Sequence, residues 1–295
     1  MRFYSYRQNW LLVFSMAFFL AFILSILILP DLRGSGNSRS LDNGITLSIF
    51  VILAVLIGPI WEEIAFRGVF SNKQWVKKIS CLLLILIFSY LLYSWWGIIV
   101  SLTGFFSSVI TTYYIVRFKI NHNVFLKFFT VFLFVLIHYQ FSDFKKIATL
   151  CYFSAHLAIG FLLTWVVINF GLMKSIFLHM TYNFILISIM LLSLQFIDDK
   201  SNILKENSVE LRYLKVPLIN SNSTELAIEE ERIVAKNSTV RNLIKYGFPS
   251  NIALGYQSIV PFAKFDFEIT FNNSESDIRI VLEMLEKEKL IVKVR

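Results

Sequence analysis

The stretch LSIFVILAVLIGPIWEEIAFRG, residues 47–68, decides the fold class of this chain. Before Arg67, its only ionisable side chains are those of two adjacent residues, Glu62 and Glu63. The apolar part has the length of a helix that crosses a bilayer, about 20 residues. Ionisable groups in such helices are costly and face a protein interior or a water-filled cavity. The stretch therefore predicts a membrane helix that carries a functional polar site.

The composition of the whole chain also indicates a membrane protein. Hydrophobic residues make up 56% of the 295 residues and charged residues 16%, whereas about 25% of residues are charged in soluble domains. The mean hydropathy is +0.65. The net charge of +8 is spread over loops and forms no basic stripe, which favours contact with lipid headgroups over nucleic acid. We therefore expect a lipid bilayer as a partner and no nucleic acid.

Seven apolar segments are candidates for membrane spans. They lie at about 10–29, 44–66, 79–93, 96–116, 124–141, 147–170 and 175–197. The third is short, so we expect it to be tilted, re-entrant or completed by the stems of Lys77 and Lys78. The pattern predicts an all-α polytopic membrane helix bundle of about seven transmembrane helices over residues 1–197. Abundant Asn, Ile, Lys and Phe are typical of AT-rich bacterial genomes, which suggests a multi-pass protein of the bacterial inner membrane.

The C-terminal part, residues 198–295, has a different composition, in which charged and apolar residues mix. Alternation over 265–271 predicts a strand, 276–290 an amphipathic helix, and 290–294 a closing strand. The predicted apolar face of that helix comprises Ile278, Val281, Leu282 and Leu285. We expect a small C-terminal α+β soluble extension, in which no catalytic motif is recognisable.

Helical spacing separates the roles of the two glutamates. Residues four apart share a helix face, whereas adjacent residues diverge by about 100°. Glu63 is therefore expected to pair with Arg67, while Glu62 remains a free carboxylate that can serve as a general base or a metal ligand. The alternative is that all three side chains form one structural ion-pair cluster at a helix end.

Histidines in later apolar segments complete the set of candidate residues. His138 lies in the fifth segment, where a lone histidine is more often a packing residue than a catalyst. His156 has no carboxylate or amide partner at helical spacing, and we interpret it as structural. His179 differs, because Asn183 follows one turn later on the same face. Such a pair can hold a carbonyl oxygen or its oxyanion, or bind a metal with an outer partner. Glu62 is expected to meet His138, His179 and Asn183 in one cavity.

Three motifs in order resemble those of the CPBP family of intramembrane proteases. They are Glu-Glu-x-x-x-Arg-Gly at 62–68, Phe-x-x-x-His at 134–138 and His-x-x-x-Asn at 179–183. The family includes the eukaryotic prenyl-protein (CaaX) endopeptidase and the bacterial Abi proteins, which are linked to bacteriocin self-immunity. The resemblance covers about residues 44–186. It implies an intramembrane endopeptidase that cleaves a membrane-associated protein or peptide.

The resemblance also implies roles for the site residues. Glu62 would activate water with help from His138, and His179 with Asn183 would stabilise the oxyanion. The family has been interpreted both as zinc metalloproteases and as metal-free glutamate proteases. If zinc is bound, its expected ligands are Glu62, His138 and His179.

Two departures from the family pattern leave the substrate open. The gap between Glu62 and His138 holds two extra predicted spans, and the C-terminal extension is not part of the family core. The resemblance also implies that Glu63 and Arg67 hold the site. Two other classes of function remain: a non-catalytic binding or immunity protein with the same fold, and a transporter. The transporter has less support, because no inverted repeat is visible.

Overall fold

The structure, a computed structural model, divides into two compact units. It describes residues 8–28, 46–97, 100–105, 124–140, 143–144, 147–197, 200–253, 255–260, 262–271 and 275–293. The first unit contains the N-terminal helix and residues 52–184, and the second contains residues 185–295 with the short stretch 46–51.

Helices make up the first unit. Their bounds are α1 Asn9–Ile28, α2 Leu47–Ile52, α3 Gly58–Arg67, α4 Gln74–Trp96, α5 Val124–Leu136, α6 Ile147–Phe170 and α7 Leu172–Gln195. Two of them, α2 and α7, have residues in both units. A π-helical turn, Leu53–Ile57, joins α2 to α3, and a 3₁₀ turn, Gly68–Phe70, follows α3. Gly171 separates α6 from α7 with a φ of +89°, a backbone conformation that favours glycine.

Five of these helical stretches are long and apolar enough to cross a membrane, as expected for a multi-pass membrane protein. They are Asn9–Leu27, Leu47–Phe70, Gln74–Trp96, Ile147–Phe170 and Leu172–Gln195. The third predicted span is a full 23-residue helix that begins before Lys77 and Lys78. The helix includes both lysines, so this segment is longer than the sequence predicted. Lysine favours helix, and its stem can lie along an apolar surface.

The predicted count of seven spans is not confirmed. The predicted fifth span, 124–141, forms a helix of only 13 residues, Val124–Leu136. Such a helix is about 20 Å long at 1.5 Å per residue, which is less than the roughly 30 Å of hydrocarbon. Of the predicted span 96–116, residues 100–105 are helical, and 106–116 lie outside the described residues.

Aromatic side chains pack α1 against α6 in antiparallel fashion. Phe18 stacks on Phe161 with ring centroids 5.8 Å apart, and Phe22 lies 6.0 Å from Tyr152. The opposite faces of the helices leave large apolar side chains exposed, such as Leu27 at 71%. Exposed apolar surface on this scale is unusual for a soluble protein and is expected where helices contact lipid.

The second unit is an α+β structure. Its strands are β1 Ser201–Glu206, β2 Val209–Val216, β3 Glu225–Ile228, β4 Arg232–Thr239, β5 Tyr256–Ser258, β6 Lys264–Thr270 and β7 Ile291–Lys293. Five form an antiparallel sheet in the order β1-β2-β6-β4-β3, and β5 pairs with β7. Its helices are α8 Val240–Gly247, α9 Ser250–Ala253 and α10 Glu275–Lys287.

Alternation along β6 builds the core of this unit. Phe265, Phe267 and Ile269 point inward and are buried, in agreement with the strand predicted over 265–271. The helix predicted over 276–290 is α10, and all four residues of its predicted apolar face are buried in the same core. The predicted closing strand is β7. The periodicities of 2 and 3.6 residues therefore identified both elements correctly.

Candidate active site

The predicted ion pair between Glu63 and Arg67 is present and fully buried. Arg67 Nη1 donates to Glu63 Oε1 at 3.0 Å, and neither side chain is exposed. The guanidinium also lies 4.0 Å from the centre of the Phe134 ring, a cation–π contact. Its Nη2 donates to the carbonyl oxygen of Gly160 at 3.4 Å. Arg67 therefore links α3 to α5 and to α6.

Gly160 is glycine because α6 passes close to this cluster. A Cβ there would lie 3.0 Å from Val131 Cγ1 and 3.3 Å from Phe134 Cδ1. A larger residue would push α6 away from α5 and weaken the contact with Arg67.

Glu63 accepts two further hydrogen bonds, both from α7. Ser175 Oγ donates to Oε2 at 2.5 Å, and His179 Nδ1 donates to Oε1 at 3.0 Å. Three donors therefore satisfy this buried carboxylate, as a charge in a low-dielectric interior requires. Glu63 thus stabilises the helix bundle and also fixes the orientation of His179.

Sequence reasoning missed Ser175, although a signal for it exists. Ser175, His179 and Asn183 follow one another at four-residue intervals and form a polar stripe on α7. The stripe predicts that Ser175 faces the same neighbours as His179, and both side chains are buried.

Glu62 lies near the other nitrogen of the same imidazole. Its Oε2 is 3.7 Å from His179 Nε2. Because Nδ1 donates to Glu63, Nε2 is the ring nitrogen left to face Glu62. The two glutamates, which diverge on α3, therefore stand at opposite nitrogens of one histidine. Glu62 remains 25% exposed, in contrast to the fully buried Glu63.

Asn183 reaches the π-helical turn between α2 and α3. Its Nδ2 donates to the carbonyl oxygen of Ala54 at 2.9 Å. In this turn Gly58 N–H donates to the carbonyl of Leu53, and a Cβ on Gly58 would lie only 2.9 Å from that oxygen. Single π-helical turns are frequent at functional sites. The backbone of the turn thus positions Asn183. One N–H of its amide is bonded to Ala54, and the other can donate to a ligand.

His138 lies just beyond the end of α5 and not inside a membrane helix, which corrects the expected placement. Its backbone N–H donates to the carbonyl of Val135 at 3.1 Å, and its Nδ1 donates to the carbonyl of Phe134 at 2.8 Å. The last carbonyls of a helix have no backbone donor, and a histidine side chain can supply one. This cap explains why the helix ends before the predicted position.

The Phe134 ring connects His138 to the rest of the site. Its centroid is 5.2 Å from that of His138 and 5.9 Å from that of His179, edge-on in both cases. The second predicted motif therefore contributes an aromatic contact as well as a histidine.

His156 lies beside His138, although the sequence indicated only a structural role for it. The two imidazole centroids are 4.9 Å apart, and His156 also interacts electrostatically with Glu62 and His179. Its Nδ1 lies 2.8 Å from the hydroxyl of Tyr139. No helical spacing relates these residues, so the sequence carries no signal for this contact.

The predicted zinc ligands are not gathered at ligand distances. Among the described residues, no three His, Cys, Asp or Glu side chains form a group that could hold a metal ion. In both His138 and His179, Nδ1 is bonded to protein oxygen, which leaves Nε2 as the only ring nitrogen available to a metal.

No family model, curated protein or solved structure matches the chain. The family resemblance therefore depends on the three sequence motifs alone.

Proposed function

We propose that this protein is an intramembrane endopeptidase of the CPBP type, located in a bacterial inner membrane, that hydrolyses a peptide bond of a membrane-associated protein or peptide. One observation carries the proposal: His179 stands between two carboxylates, with Glu63 on Nδ1 at 3.0 Å and Glu62 near Nε2 at 3.7 Å. In hydrolases that use a histidine–carboxylate pair, the buried carboxylate fixes the tautomer and stabilises the imidazolium that forms. Glu63 has the burial and the contact needed for that role.

Glu62 is the group that activates water. It is the more exposed of the two carboxylates, so a water molecule from outside the site can reach it. A water about 2.8 Å from both Glu62 Oε2 and His179 Nε2 is compatible with their separation. Glu62 accepts a proton from this water as the water oxygen attacks the carbonyl carbon. His138, whose Nε2 is not used for the cap, assists as a second acceptor.

His179 and Asn183 stabilise the charge that develops on the carbonyl oxygen. In this step His179 acts as an imidazolium throughout: Nε2–H donates to the oxyanion while Nδ1–H stays bonded to Glu63, so the ring neither gains nor loses a proton. The second amide N–H of Asn183 supplies another donor. Glu62 then gives its proton to the leaving amine, which breaks the carbon–nitrogen bond and restores the carboxylate. Donors placed in advance, as these are by Glu63 and Ala54, avoid a reorganisation cost at the moment of reaction.

A cleavage assay on purified protein tests this function. Wild type and Glu62→Gln are compared in proteoliposomes on a panel of membrane-anchored peptides, with and without a prenyl group, and products are identified by mass spectrometry. Glu230→Gln, an exposed carboxylate in the second unit, is the matched control. We expect cleavage by wild type and control, and a loss of roughly 100-fold or more in Glu62→Gln.

Two outcomes would contradict the proposal. Equal cleavage by wild type and Glu62→Gln would assign the activity to another site. Binding of a peptide without cleavage would favour the alternative, a non-catalytic binding or immunity protein that keeps the same polar cluster.

A further inference from the structure

We infer that His156 is a positioning residue for His138, and that it acts by holding the turn that follows α5. The effect on catalysis rests on the proposed function, whereas the structural role rests on contacts of His156 that are independent of that function. His138 lies in that turn and Tyr139 directly follows it, and neither belongs to a regular helix. A catalytic acceptor in a turn needs support from a rigid neighbour, because small displacements of a reacting group cost rate.

His156 belongs to a rigid element. It lies in the middle of α6, a 24-residue helix half of whose residues are buried. Its Nδ1 is 2.9 Å from the carbonyl oxygen of Tyr152, one turn earlier. Since a carbonyl oxygen only accepts, this contact places the proton on Nδ1 and leaves Nε2 unprotonated in the neutral ring. The ring is therefore fixed to the backbone of its own helix.

From that position His156 contacts two consecutive residues, His138 and Tyr139. Its ring packs against that of His138, with centroids 4.9 Å apart and ring planes inclined by 32°. The hydroxyl oxygen of Tyr139, a residue that is only 5% exposed, lies 2.8 Å from the same Nδ1, so the single Nδ1–H is shared between this oxygen and the carbonyl of Tyr152. One histidine thus fixes the ring of His138 by packing and the next residue by a hydrogen bond.

Tyr139 has a second set of contacts that keep it in place. Its ring lies 5.8 Å from both Phe144 and Phe153. The tyrosine therefore packs between aromatic rings, and its hydroxyl lies next to His156. The cap on α5 and the contacts of His156 together define where the free Nε2 of His138 stands.

Four variants test the inference through kinetics. His156→Leu removes both contacts, His156→Phe keeps a ring that packs against His138, and Tyr139→Phe removes only the hydrogen bond. Thr149→Val, another buried polar residue of α6, is the control. We expect His156→Leu to lower kcat by about 10- to 100-fold with KM nearly unchanged. The loss in kcat should be smaller for His156→Phe and Tyr139→Phe, and the kcat of the control should match that of wild type.

A double-mutant cycle separates positioning from general destabilisation. If His156 acts through His138, then His156→Leu should have little further effect in a His138→Ala background. Losses that multiply would contradict the inference, because they would show that His156 acts independently of His138.

A spectroscopic measurement tests the same contacts without any activity. In ¹⁵N-histidine NMR of the purified protein, both His138 and His156 should show the Nδ1–H tautomer. The His138 signals should shift in His156→Leu but not in Thr149→Val. Unchanged His138 signals in His156→Leu would overturn the inference even if the protein cleaves peptides. Shifted signals in a protein without peptidase activity would keep the positioning role and defeat only the proposed function.

Discussion

Exchange of the two adjacent glutamates for glutamine should produce opposite effects. Glu63→Gln replaces a fully buried carboxylate that accepts from Arg67, Ser175 and His179. All three partners donate to the carboxylate, so the new amide NH₂ group finds an acceptor only if Ser175 or His179 changes from donor to acceptor. Arg67 would also remain buried without its charge partner. We therefore expect Glu63→Gln to destabilise the helix bundle.

The size of the effect follows from the burial of the pair. Removal of one partner of a buried ion pair costs about 3–5 kcal/mol, which corresponds to a fall of roughly 6–20 °C in Tm for a unit of this size. Glu62→Gln should change Tm little, because Glu62 is partly exposed and its nearest charged partner is 3.7 Å away. The effects on turnover should be the opposite of those on Tm: Glu63→Gln should keep residual activity, and Glu62→Gln should have none that is detectable.

The comparison requires thermal unfolding and peptide cleavage measured on the same preparations in the same detergent. Turnover is normalised to the folded fraction at the assay temperature, so that instability is not counted as lost catalysis. A stable, inactive Glu63→Gln together with an unstable, active Glu62→Gln would show that the roles of the two carboxylates are exchanged.

Three further predictions concern the remaining parts of the site. Asn183→Ala should lower turnover by about 100-fold while KM for the peptide stays nearly constant, because an oxyanion donor acts only in the transition state; a change in KM alone would contradict this. Ser175→Ala should lower stability by about 1.5–3 kcal/mol, since its hydroxyl bonds a charged group, whereas Ser193→Ala, which removes an exposed bond to its own helix, should not. The metal content of the purified protein is measured by elemental analysis, and its turnover is measured after chelation and again after zinc is added back. If the side chains alone carry out the reaction, turnover should be unchanged by either treatment, and dependence on zinc would refute that mechanism.

The sequence determined those features that depend on neighbours along one helix or strand. The pairing of Glu63 with Arg67 follows from four-residue spacing, and the structure contains it. The same reasoning placed the buried face of α10 and the strand β6. The apolar segment predicted at 147–170 has the bounds of α6, because Gly171 ends it at a position that the sequence also marks.

Only the tertiary structure decided which faces meet. Periodicity shows that His179 shares a helix face with Ser175, but it cannot show that this face meets the carboxylate of Glu63 on α3. The packing of His138 against His156 likewise depends on how α5 and α6 cross. The length of α5 was misjudged for a related reason: apolar composition continues past Leu136, but the side chain of His138 caps the helix there. Hydrophobicity along a chain records where burial is favourable, whereas helix ends and inter-helix contacts are set by hydrogen bonds between groups that only the folded chain brings together.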